Sequence, residues 1–269
     1  MSTRLGIVRY LNTKPIVFGL ETGRVSHQFE LVYDVPSACA RMLRAGEVDA
    51  ALIPAVEYAS HHDFCIVPTI SISSFGPVAT VALYFSGGLG DIRTVALDTS
   101  SLNSVALLKI LLERRFGLHP SYRSMEPVVG EMLRGCDAAL IIGDTTFQVD
   151  GAIERLDVGE EWRRWTGLPC TFAFWAGRCG ALSRAEVGQL ILSKEIGVRS
   201  IAEIARRESG VLNLSVEEIE RYLRRNIQYD LGEREQEGLQ RFYREASGLG
   251  LIPRVPELKF YATEDRAEA

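Results

Sequence analysis

The chain has 269 residues, 46% of them apolar and 24% charged, with a formal net charge of −5. That length carries one large domain or two modest ones, each able to bury its own core. The acidic balance speaks against a nucleic-acid partner, which needs a basic face to displace counterions, but it leaves room for a small anionic ligand, because backbone dipoles supply local positive potential.

Short apolar runs alternate with helical periodicity, the pattern of βαβ units and largely parallel sheets. Leu5 to Arg9 reads as a strand, and Pro15 suits the first turn of a helix running to about Glu21. Phe29 to Tyr33 is a second strand, Pro36 to Ala45 a helix ended by Gly46, and Ala50 to Ile53 a buried strand. Val78 to Phe85 is long and apolar and reads as a crossing strand. A new βα unit opens at Thr94 to Leu97, with a helix from about Ser101 to Phe116 and a buried strand at Ala138 to Ile142. Thr171 to Ala176 reads as a segment crossing back. Helices are then expected at 184–207, 216–226 and 233–247, with a frayed end at 262–269.

The segment Met42 to Ile53 (MLRAGEVDAALI) returns as Met132 to Ile141 (MLRGCDAALI), each copy preceded by a proline, Pro36 and Pro127. Upstream, Leu11-Asn12-Thr13 after one strand matches Leu102-Asn103-Ser104 after another. A duplicated lobe explains both, with chance similarity of two βα units as the alternative. Two lobes joined by two crossings imply an α/β, two-lobed, periplasmic-binding-protein-like fold with a ligand cleft. The first lobe is expected from 1–80 plus 178–269 and the inserted second lobe from 81–177. Helices in 184–247 either pack on the first lobe or make a homodimer contact.

Ligands in such lobes sit beyond the carboxyl ends of strands. That places Tyr10, Asn12 and Thr13, then Pro54, then Ser100, Ser101, Asn103 and Ser104, then Gly143 and Asp144, around the cleft. Two of these loops open helices, where free N–H groups and the helix dipole favour an anion; plain N-capping is the competing explanation. A ligand with two carboxylates suits one such site per lobe. Ser37 is a third candidate donor, and Ser74 and Gly76 lie where backbone could approach a ligand. Asp144 is either an acid/base group or a helix cap. Trp175 and Phe172 either line a pocket or fill the core.

Five cysteines without a CxxC read as free thiols of a reducing compartment. Four histidines show no metal-ligand spacing, so no metal is expected. Neither a phosphate-binding glycine loop nor a GxSxG nucleophile is found, so no cofactor is expected either. The first residues enter a strand without the apolar stretch of a signal peptide, and no run approaches the ~20 residues of a membrane helix. The expectation is a cytoplasmic protein with no membrane partner.

Six segments, in order, resemble the chorismate dehydratase family of the futalosine-type menaquinone route. They are Tyr10-Leu11-Asn12-Thr13-Lys14-Pro15; Gly46 to Tyr58 (GEVDAALIPAVEY); Ser74-Phe75-Gly76-Pro77-Val78; Leu97 to Ser104 (LDTSSLNS); Ile142-Gly143-Asp144; and Trp162 with Thr166 to Pro169 and Phe172 to Trp175. Cys170 departs from the aromatic or aliphatic residue expected there. The sister family that makes dihydroxynaphthoate opens on a C-P-N-D-T-like motif, unlike Tyr10 to Thr13.

The resemblance implies that chorismate, a dianion, loses water to give 3-[(1-carboxyvinyl)oxy]benzoate, without cofactor. For that reaction the expectation is Asn12 near the reacting carbons, a carboxylate at Ser100, Ser101 and Ser104, and Asp144 or a water beside the leaving hydroxyl. With no histidine in a matched motif, the enolpyruvyl carboxylate of the substrate is the candidate base. A non-enzymatic solute-binding protein of the same fold is the rival from a different class.

Overall fold

In the computed structural model, which describes residues 2–263, two sheets carry helices on their faces. The first sheet runs β2 (Glu30–Asp34), β1 (Arg4–Val8), β3 (Ala50–Pro54), β11 (Cys170–Arg178), β4 (Phe64–Ile66), with β5 (Ile72–Ser74) also paired to β11. The second runs β10 (Glu154–Asp157), β6 (Val81–Phe85), β9 (Ala138–Ile142), β7 (Thr94–Asp98), β8 (Ser121–Met125). The central strands β3 and β9 are buried at every residue, as expected of parallel strands covered on both faces.

The internal repeat is structural. In each sheet three parallel strands lie in the order second, first, third, and an antiparallel strand closes the far side of the third. The aspartate that both copies share has one purpose. Asp49 Oδ2 accepts from the Arg4 N–H at 2.7 Å, and Asp137 Oδ2 accepts from Arg93 and Thr94 N–H at 3.0 and 2.8 Å. Each carboxylate pins the start of the first strand to the start of the third.

The closing strands are exchanged along the chain. β6 precedes the repeat it completes, and β11 follows the second repeat yet pairs with β3 and β4. Residues 170–177, expected in the second lobe, therefore belong to the first sheet, because their buried apolar side chains complete its core. The chain crosses between sheets at 75–80 and again at 158–169. Asp157 ties the two crossings together: its carboxylate accepts from Val78 N (3.0 Å), Ala79 N (2.7 Å) and Glu160 N (3.0 Å). Ala79 sits there at φ 66°, left-handed for a residue with a Cβ.

Helices α1 (Lys14–Glu21), α2 (Pro36–Ala45) and α3 (Ala55–Tyr58) follow strands of the first sheet, and α4 (Asn103–Ile110), α5 (Val129–Gly135) and α6 (Val158–Thr166) belong to the middle segment. The helix expected over 184–207 is two, α7 (Arg184–Arg199) and α8 (Ile201–Leu212), because Ser200 leaves helical geometry. α9 (Val216–Arg221) runs into a π-turn at Tyr222–Asn226, and α10 (Glu233–Gly248) follows. α7 packs on α1, and α10 packs on β11 and α4. The first of these contacts needs Gly197, where any Cβ would overlap the Pro15 carbonyl.

The expectation of five free thiols fails. Cys65 on β4 and Cys179, just past β11, form a disulfide with Cα atoms 4.9 Å apart, while Cys39, Cys136 and Cys170 are free and buried. Antiparallel pairing of β4 with β11 brings the two together across a sequence separation of 114, so no local spacing could announce the bond. The frayed end expected at 262–269 lies, from residue 264 onward, outside the described residues.

Candidate functional site

The carboxyl ends of β1, β3, β7 and β9 meet between the lobes around a cavity. Its walls are mostly apolar, from Val8, Pro36, Pro54, Ile72, Val78, Val81, Leu102, Ile142, Phe172 and Ala173. The polar groups are few: Tyr10, Asn12, Thr80, Ser101, Asn103 and Ser104. Among the described residues, no lysine, arginine, aspartate or glutamate lines it. An anion held here is met by dipoles, and the start of α4, with Ser101, Asn103 and Ser104 around it, supplies the aligned N–H groups.

Seven of the expected site residues thus line this cavity: Tyr10, Asn12, Pro54, Ser101, Asn103, Ser104 and Gly143. Three others, Ser37, Ser100 and Asp144, line a separate outer groove with Arg9, Thr99 and Glu126, and Tyr10 borders both spaces. Thr13 is buried beside Asn12. Ser74 is buried against Gly159 of α6, its hydroxyl unpartnered, and Gly76 takes φ 128° in the first crossing beside Arg163. Trp175 is fully buried in the first sheet. None of Thr13, Ser74, Gly76 and Trp175 lines the cavity.

The lobes are drawn together by bonds across the cleft. The Leu11 N–H donates to both oxygens of the Asp144 carboxylate at 3.1 Å. The Ser37 N–H donates to the Ser100 carbonyl at 3.2 Å, which uses a donor expected for a ligand. Asn103 spans the gap with its amide: Oδ1 accepts from Val56 N at 2.9 Å, and Nδ2 donates to the Thr171 carbonyl at 3.4 Å. Its side chain is thereby committed to backbone on the opposite lobe. Ser100 is turned inward, with its N–H and hydroxyl on Asp98 Oδ1 at 2.8 and 2.6 Å and its oxygen 3.3 Å from the Tyr10 hydroxyl.

Tyr10 closes the space between groove and cavity. Its ring lies flat against Gly143, where a Cβ would come within 2.8 Å of ring carbons. Gly143 also holds φ 66°, so two independent constraints demand glycine here. Burial pushes the Tyr10 phenol up from its ordinary range. Burial likewise raises the Asp144 carboxyl to about 6, against the lowering pull of the Leu11 N–H; Glu208 adds to the rise and Lys14 opposes it.

Two further positions beside the cavity carried no sequence signal. Thr80 lies in the first crossing, and Tyr222 arrives from the C-terminal π-turn to meet it, with the two hydroxyl oxygens 2.8 Å apart.

A family model described as menaquinone biosynthesis matches residues 3–248. The chorismate dehydratase of Thermus thermophilus is 32% identical over 269 residues, which is 93% of this chain and 96% of that protein. Among solved structures, an Archaeoglobus fulgidus protein superposes with TM-score 0.73 at 18% identity over 93% of this chain and 98% of its own. A Candida albicans protein with the generic periplasmic binding protein fold gives 0.69 at 11%, over the whole of both chains. The periplasmic aliphatic sulphonate binding protein SsuA of Escherichia coli gives 0.66 at 16%, over 100% of this chain and 96% of its own.

Proposed function

The chain belongs to the menaquinone biosynthesis family, and from that premise we propose that it is a chorismate dehydratase, a hydro-lyase of that pathway. The observation that carries the proposal is the cleft itself. It is an apolar-walled space between two lobes with a helix start and the amides of Asn12 and Asn103 as its main polar features.

In the proposed reaction one ring carbon of chorismate loses its proton and its neighbour loses hydroxyl. Water leaves, and the ring becomes aromatic in 3-[(1-carboxyvinyl)oxy]benzoate. Aromatisation makes the step downhill, so the protein's task is positioning and control of the leaving group. We assign one carboxylate to the N–H groups and hydroxyls at Ser101 and Ser104, and the ring hydroxyl to Asn12. A cavity without a carboxylate or histidine in its lining favours the substrate's own enolpyruvyl carboxylate as base. Asp144 stands at the rim with its oxygens on the Leu11 N–H, so we assign it to lobe closure in place of the leaving-group role.

Among the described residues no helix is long and apolar enough to cross a membrane. An enzyme consuming a biosynthetic intermediate works where that intermediate is made, and the proposal includes a cytoplasmic location. The deciding experiment incubates purified protein with chorismate, without metal or cofactor, and follows products by chromatography and mass spectrometry. A species lighter by one water, absent with boiled protein, is expected. Chorismate that binds but stays intact would leave a solute-binding protein as the answer.

A further inference from the structure

We infer that Tyr222 is a positioning residue for the cleft: it fixes the orientation of the Thr80 hydroxyl toward the bound ligand. The inference rests on the dehydratase proposal for what that ligand is. Thr80 lies in the first crossing and lines the cavity. The Tyr222 hydroxyl is 2.8 Å from its Oγ1.

A phenol has one proton and accepting lone pairs. Sharing a hydrogen bond with Thr80 stops that hydroxyl from rotating freely, and the Thr80 oxygen keeps its remaining hydrogen-bonding capacity for the cavity it lines.

The phenol is itself held rigidly. It is buried, and its ring meets Phe147 of the second lobe edge-on at 5.3 Å. Its π-turn is tied to the first crossing a second time, by the Asn226 amide donating to the Pro77 carbonyl at 2.7 Å. π-turns of this kind are frequent where a helix delivers a functional side chain.

The test measures steady-state turnover of chorismate by wild type, Tyr222→Phe, Thr80→Val and the double variant. Tyr222→Phe is expected to lower kcat by about 10- to 100-fold, the cost of a misaligned reacting geometry, with KM within threefold. The double variant is expected to be no slower than the slower single variant, because both cut one network. A kcat for Tyr222→Phe within twofold of wild type overturns the inference, and so do losses that multiply in the double variant, which would mark a merely structural role. Should Tyr222→Phe fail to fold, Thr80→Val alone must lower kcat at least fivefold at unchanged KM, or the inference falls. A wild type that yields no product refutes the dehydratase proposal itself and takes this role with it.

Discussion

Replacing Gly143 by alanine separates two costs that the structure keeps in one residue. The first is local. At φ 66° a residue with a Cβ pays about 1–2 kcal/mol, whether the lobes are together or apart. In a chain of this size that lowers Tm by about 2–8 °C. The second exists only when the lobes meet. The new Cβ would stand 2.8 Å from Tyr10 Cε2 and Cζ, against an ordinary carbon–carbon contact of about 3.5 Å. The ring must retreat from the seal between groove and cavity, an overpacking worth about 1–3 kcal/mol. Charged to closure alone, that lowers kcat/KM by about 5- to 150-fold. The assay pairs thermal unfolding with chorismate turnover. G143A should show both losses, and G143A in a Tyr10→Ala background should add only the thermal one. If G143A melts earlier but keeps kcat/KM within twofold of wild type, Tyr10 is not the seal.

Other substitutions test other parts of the site. Asn12→Asp keeps the size of the side chain but puts a carboxylate where a donor is needed, so kcat should fall by at least about 100-fold; normal turnover at normal affinity would remove Asn12 from the site. Asp144 titrates near 6 when buried and near 3.9 when free. The closed form therefore holds the extra proton, closure is strongest below about pH 4, and this help is lost as pH rises through about 6. KM should climb over that window and then level off, by at most about 100-fold, and Asp144→Asn should flatten the climb. Cys179→Ser opens a link that spans 114 residues and should cost about 2–4 kcal/mol in urea unfolding, with wild type in strong reductant falling to the same midpoint.

What the sequence displayed was the part of the fold written in short-range pattern. The Asp-Ala-Ala-Leu-Ile runs announced β3 and β9 because strands covered on both faces need continuous apolar residues. The small polar residues after β1 and β7 announced the cleft because strand ends and helix starts coincide there. The edge strands β8 (SYRSM) and β10 (ERLD) escaped notice, since half-exposed edges carry no apolar signature. Ser74 and Trp175, by contrast, matched the family's motifs and are placed in the core. Their segments position neighbouring cavity residues such as Ile72 and Phe172 and leave their own side chains out of its lining. Thr80 meets Tyr222 only through packing across 142 residues, and no periodicity encodes such a meeting.

The shared anchor at Asp157 has a mechanical consequence. Two connections that were independent would let the lobes slide as well as tilt. Here both are fastened to one carboxylate, so a displacement of one crossing is passed to the other. The contacts at the mouth, Leu11 with Asp144, Ser37 with Ser100 and Asn103 with Val56, are thereby coupled through a single residue far from any of them in sequence.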